Sequence, residues 1–162
     1  MAPLSDAEQI RNLIAAFAHA TDARDTEAVA GLFTADGQFV LYDVPIPVSR
    51  LPEFTDYLAK VAGDQEQPRG SRHIQSNTHI HTLEESGARA TTDLVMIDLT
   101  PDKGWHVGAT GQYLDEFVKV DGRWLLQRRE VRWYKDLGRN PLAVGPQDTL
   151  VRAFSGNAGK RP

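Results

Sequence analysis

The chain has 162 residues, 41% of them hydrophobic and 25% charged, with no cysteine and a net charge of −4. That is one ordinary domain with enough apolar residues for a core, and it excludes a disulfide scaffold, a thiolate nucleophile and a cysteine-held metal. The acidic balance lacks the basic footprint of a nucleic-acid or anionic-membrane binder, and no apolar run approaches the ~20 residues of a membrane span. The first ten residues, MAPLSDAEQI, have neither a basic start nor an apolar stretch, so the expected location is the cytoplasm.

Ser5 and Glu8 have capping-box spacing. Behind them Ile10, Leu13, Ile14 and Phe17 recur at the spacing of one helical stripe. A second helix start is expected at Asp25, ahead of Val29, Leu32 and Phe33. Asp36-Gly37 reads as a turn, and residues 38–44 read as a short strand ended by Pro45 and Pro47. Pro52 suits the first turn of a helix over 52–62, with Phe54, Leu58 and Val61 on its buried side and Gly63 as its cap. A polar loop follows over 64–70.

From Arg72 the period becomes two, giving expected strands at 72–83, 88–99, 105–119 and 123–134. The turns between them are Glu85-Ser86-Gly87, the stretch 101–104 and the hairpin signal Asp121-Gly122. The stretch 135–154 is irregular but carries Leu142, Val144, Leu150, Val151 and Phe154, which need burial over a cavity mouth or on a neighbouring subunit. Residues 155–162 read as a frayed tail, leaving one domain over 1–154. Helices followed by a run of strands argue α+β with an antiparallel sheet; a curved sheet wrapped around the helices leaves room for an apolar cavity.

Five features bear on chemistry. Asp22 falls on the helix side of Ala15 and Ala18, next to the apolar stripe; it reads either as a helix-end cap or as a pocket carboxylate. His73 opens a strand, as a solvated polar position or as a base. His79 and His81 flank Ile80 in plain alternation and are expected to face solvent. A three-histidine metal site is not expected, because six residues of strand at ~3.3 Å each separate His73 from His79 by about 20 Å. Asp98 shares strand parity with Ala88, Ala90, Leu94 and Met96, where a carboxylate is unusual unless the strand end is solvated or the Asp is used. Arg128-Arg129 reads equally as a surface pair.

Residues 10–33, IRNLIAAFAHATDARDTEAVAGLF, resemble the opening of the SnoaL-like branch of the nuclear transport factor superfamily. Further matches are Arg72-His73-Ile74, the stretch GQYLDEF at 111–117, Asp121-Gly122-Arg123-Trp124 and Arg128-Arg129. Over residues 5–134 the chain resembles the subgroup of scytalone dehydratase, hexachlorocyclohexane dehydrochlorinase and bile-acid 7α-dehydratase. The resemblance implies a cone-shaped curved sheet around N-terminal helices. It further implies a cofactor-free, metal-free lyase, a dehydratase or eliminase acting on a small, mostly apolar cyclic substrate.

In that picture Asp22 orients His73 as general base, a task suited to an imidazole whose ordinary pKa is near ~6.5. Tyr42, placed on the first strand, corresponds to a tyrosine that binds a substrate carbonyl. Tyr113 lines the pocket and Arg129 steadies a developing anion; Leu94, Met96 and Asp98 complete the substrate site. The family's second histidine falls on Asp98, and its serine and asparagine fall on Gly111 and Tyr113, which argues against scytalone as substrate. Phe17 stands for the dehydrochlorinase lysine and argues against that substrate too. A homodimer or homotrimer packed on the outer sheet face is implied. Two other activities stay open: an isomerase or cyclase with Asp98 as base, and a non-catalytic ligand-binding or assembly module.

Overall fold

A computed structural model describes residues 3–61 and 70–134. Helix α1 covers Asp6–Asp22, with Ser5 as N-cap and the Ser5–Glu8 capping box formed in both directions. Its apolar stripe of Ile10, Leu13, Ile14 and Phe17 is buried. Helix α2 is a single short turn, Thr26–Ala30, capped by the Asp25 side chain on the Ala28 N–H. The expected second helix is therefore shorter than its apolar pattern suggested, because Phe33 already opens a strand.

That strand, β1, spans Phe33–Leu41 and runs straight through Asp36-Gly37. The dipeptide is not a hairpin turn. Residues 34–37 bulge against β6, and Thr34 donates its hydroxyl to the Gln127 side chain at 3.0 Å. A Cβ at Gly37 would lie 2.9 Å from the Thr34 carbonyl oxygen, so the bulge closes only over glycine.

The actual turn is at Tyr42 and Asp43, with φ of 51° and 63°. Two successive left-handed residues suit a tight hairpin. The prolines do not end the strand there. Pro45 and Pro47 lie in a second strand, β2 (Val44–Pro47), paired antiparallel with β1. An outermost strand tolerates proline because one row of its N–H groups has no ladder partner. A 3-10 turn at Val48–Arg50 leads into α3, Leu51–Val61, in which Phe54 is buried as expected.

The four long strands appear where the period of two placed them: β3 Gly70–Leu83, β4 Gly87–Thr100, β5 Gly104–Val120 and β6 Arg123–Trp133. The Asp121-Gly122 hairpin has the positive φ values of 49° and 77° that its sequence implies. The sheet is six-stranded and unclosed, in the order β2-β1-β6-β5-β4-β3. One pairing departs from the antiparallel expectation: β1 lies parallel to β6. Strand β2, helix α3 and strands β3 to β5 intervene between β1 and β6 in sequence, a connection long enough to bring the chain back into the sheet in the same direction.

One face of the sheet packs on the helices through a core that includes Ile10, Phe17, Ile46, Leu94, Phe117 and Leu126. Helix α1 is fastened to the sheet along its length. At its start Asp6 accepts from Lys119 Nζ at 2.7 Å and Trp124 Nε1 at 2.9 Å. The hydrogen bond from Lys119 holds the Asp6 carboxyl below its ordinary range. In its middle the Ile14 carbonyl accepts from the Gln75 amide. At its end Asp22 meets β3. The Leu58, Val61, Gly63 and 64–69 expectations, and those for the apolar stretch 135–154 and the tail 155–162, concern side chains or segments outside the described residues.

Candidate active site

Asp22 is the last residue of α1, and His73 lies on β3, the final strand in the sheet order. An outermost strand has free backbone groups along one side. The His73 N–H uses its freedom to donate to both Asp22 carboxylate oxygens, at 3.2 and 3.3 Å. The ring nitrogen Nδ1 lies 2.7 Å from Asp22 Oδ1. Both side chains are mostly buried, with 11% exposure for His73 and 14% for Asp22. One carboxylate thus fixes the backbone and the ring of the same histidine. With Nδ1–H donated, Nε2 carries the lone pair and can accept a proton.

The pair borders a groove of about 540 Å³ between α1 and β3, bounded also by Ala15, Ala18, Ala23 and Arg72. The groove exists because α1 turns small residues toward β3 along this line. The helix-cap alternative for Asp22 is not what forms: its carboxylate serves His73.

The other expected site residues separate into groups. Met96 stands directly opposite His73 in the β3–β4 register, and Leu94 opposite Gln75. Leu94 is core, at 1% exposure, whereas Met96 is only partly buried. Asp98 follows on the same face, opposite Ser71 on one side and His106 on the other. Burial raises the pKa of the Asp98 carboxyl, against the opposing pull of His106 and His73.

Tyr113 is buried and packs edge-on against Phe17, with ring centres 5.8 Å apart. Burial pushes its phenol pKa up; Arg129 opposes the rise, and the Asp115 and Asp22 charges add to it.

Arg129 is not a surface residue. It is wholly buried, and its Nε and Nη2 donate to Asp115 at 2.8 and 2.7 Å. The guanidinium sits between the Phe17 and Tyr113 rings, 4.2 and 4.3 Å from their centres. Phe17, where the dehydrochlorinase carries a lysine, is thus one wall of a cation sandwich.

Tyr42 is not on the first strand but in the hairpin turn that ends it. Its hydroxyl is buried with no hydrogen-bond partner among the described residues, and burial pushes its pKa up to about 12. His79 and His81 face solvent, as alternation requires, with His81 Nε2 paired to the Thr91 hydroxyl at 2.6 Å. His73 faces the other side of the sheet, so the three do not converge.

Reading the sequence missed Asp115 and His106. Asp115 had a signal: it shares parity with Tyr113 and Phe117. His106 had none, because a bulge at Gly108 sets its face.

Residues 2–130 match the SnoaL-like domain family. The chain belongs to that family. A curated relative, subunit beta 2 of the terminal oxygenase component of terephthalate 1,2-dioxygenase from a Comamonas species, is 30% identical over 108 residues. The match covers 67% of this chain and only 62% of the relative.

Among solved structures, a Mycobacterium tuberculosis protein of unknown function superposes with a TM-score of 0.72 at 26% identity, covering 93% of this chain and 90% of its own. A Novosphingobium aromaticivorans protein provisionally named a scytalone dehydratase gives 0.63 at 24% identity, covering 80% and 84%. At that identity the second likeness shows the shared fold. The SnoaL-like domain here accordingly has the helix-on-curved-sheet architecture of the family, with no helix among the described residues long and apolar enough to cross a membrane.

Proposed function

We propose that this SnoaL-like protein is a cofactor-independent lyase of the dehydratase type. The observation that carries the reading is the Asp22–His73 contact at 2.7 Å beside an open groove. A carboxylate that ties down Nδ1 leaves Nε2 as a positioned base, the arrangement needed to take a proton from carbon. The substrate class is a small, mostly apolar cyclic molecule with an acidic C–H next to a carbonyl and a leaving group β to it. Met96 supplies apolar contact beside His73.

The test uses α-tetralone, a bicyclic ketone with an acidic C–H and no leaving group. The wild type should accelerate exchange of its α-proton for solvent deuterium, and His73→Ala should not. Equal rates for the two proteins would remove the base assignment.

A second reading, an isomerase or cyclase with Asp98 as base, draws support from the raised pKa of that carboxyl. Under it Asp98→Asn, not His73→Ala, abolishes the exchange. A purely ligand-binding or assembly role would leave the exchange unaccelerated by either residue. We further read the protein as a homodimer or homotrimer joined through the outer sheet face, where Ile74, Trp105 and Val107 are 47%, 54% and 58% exposed. Light scattering after size exclusion reads the mass directly, and a monomer would refute the assembly.

A further inference from the structure

Asp98 occupies a built position. In the β3–β4 ladder His73 stands opposite Met96, and Asp98 is two residues further on the same face. The two side chains are thus diagonal neighbours, which in a sheet stand about 7–8 Å apart at the backbone. Across the next ladder Asp98 pairs with His106, also on that face.

Between Met96 and Ile97 the β4–β5 register slips, and Gly108 is the extra residue. A Cβ at Gly108 would lie 1.8 Å from Asp98 Oδ2. Glycine at the bulge therefore makes the space in which this carboxylate rests.

His106 is oriented in turn. Its Nδ1 donates to the Gly104 carbonyl oxygen at 3.1 Å, which leaves Nε2 as the free ring nitrogen. The charged and titratable groups acting on this cluster are His73 from β3, His106 from β5, and Asp102 with Lys103 from the β4–β5 turn.

We propose that Asp98, backed by His106, is the proton donor for the leaving group, paired with His73 as the base. The inference rests on the dehydratase reading. In the elimination His73 Nε2 takes the α-proton and the carbon–carbon double bond forms. The β carbon–oxygen bond breaks, and the departing oxygen takes the Asp98 carboxyl proton to leave as water. The enzyme then holds an imidazolium at His73 and a carboxylate at Asp98. One proton passed back through solvent or His106 restores both, so nothing beyond substrate is consumed. The direction of the Asp98 shift suits the role, since burial favours the protonated carboxyl.

Two measurements on the full chain decide it. Carbon NMR of aspartate-labelled protein, with the Asp98 signal assigned by its loss in Asp98→Asn, should show this carboxyl titrating above the ordinary value of ~3.9. In His106→Gln the midpoint should rise further, because the imidazolium that favours the carboxylate is gone. A midpoint at or below the ordinary value overturns the proposal whatever the substrate.

The second measurement compares α-tetralone exchange with the dehydration of its β-hydroxy derivative to α-naphthol. Exchange needs only a base; dehydration needs base and acid. Asp98→Asn should lower dehydration on the order of 10²–10⁴-fold more than it lowers exchange, while His73→Ala should lose both. Equal losses in Asp98→Asn overturn the proposal. A wild type inert toward both ketones refutes the dehydratase reading instead, and the titration then decides alone whether Asp98 holds a proton.

Discussion

Arg129 and Asp115 form a two-armed ion pair at 2.8 and 2.7 Å, with neither side chain exposed. The pair joins β6 to β5 beneath Tyr113 and closes one side of the core on Phe17. The Asp115 carboxylate takes up Nε and Nη2 of Arg129, while the buried Nη1 has no hydrogen-bond partner among the described residues.

Breaking the pair should be costly. Removing one partner strands a buried charge, a loss of about 3–5 kcal/mol. Asp115→Asn should therefore unfold at much lower denaturant than the wild type, and the double variant Asp115→Leu with Arg129→Met should recover most of that loss. Urea unfolding followed by tryptophan fluorescence measures both. A cost under about 1 kcal/mol for Asp115→Asn, the value of an exposed pair, would contradict the buried geometry.

The dyad makes a kinetic prediction. His73→Ala should abolish nearly all proton abstraction while the fold is kept. Asp22→Asn preserves shape but favours the wrong ring tautomer, for an expected loss on the order of 10²–10⁴ in rate. The two losses should not add in the double variant, since the residues act as one unit. Retention of more than about a tenth of the wild-type rate by His73→Ala would exclude it as general base.

Asp98 gives a pH dependence of stability. Burial raises its pKa on folding. A carboxyl so raised contributes its stability in full below the ordinary value near ~3.9, and that contribution is lost as pH rises through the folded pKa. Asp98→Asn should therefore raise Tm at a pH of about 7–8, and the gain should vanish below about 3.9. A gain that grows in acid would reverse the sign of the shift.

Gly108 should be intolerant of a methyl group for one reason, the Asp98 carboxylate. Gly108→Ala is expected to cost about 1–3 kcal/mol through overpacking. The cost should shrink in an Asp98→Ala background, and thermal unfolding of the four proteins of the cycle reads the coupling. Additive losses would place the clash elsewhere.

Much of the fold is legible in the sequence because the signals are local. The capping box at Ser5, the helical stripe from Ile10 to Phe17 and the period of two after Arg72 each rest on neighbours a few residues apart. Even the Asp22–His73 partnership is anticipated, although there the warrant is a resemblance and not spacing, since 51 positions separate the residues.

What the tertiary structure alone decides is register. Counting back from the Asp121-Gly122 hairpin, regular pairing would set Arg128 opposite Asp115 and turn it inward. The slip at Gln127 places Arg129 there instead and sends Arg128 outward to Glu130. The slip at Gly108 likewise sets His106 beside Asp98. A one-residue bulge costs little locally, so composition and period do not register it. Yet it exchanges the two faces of every residue beyond it, and only the packing of the whole sheet against α1 determines which face is buried.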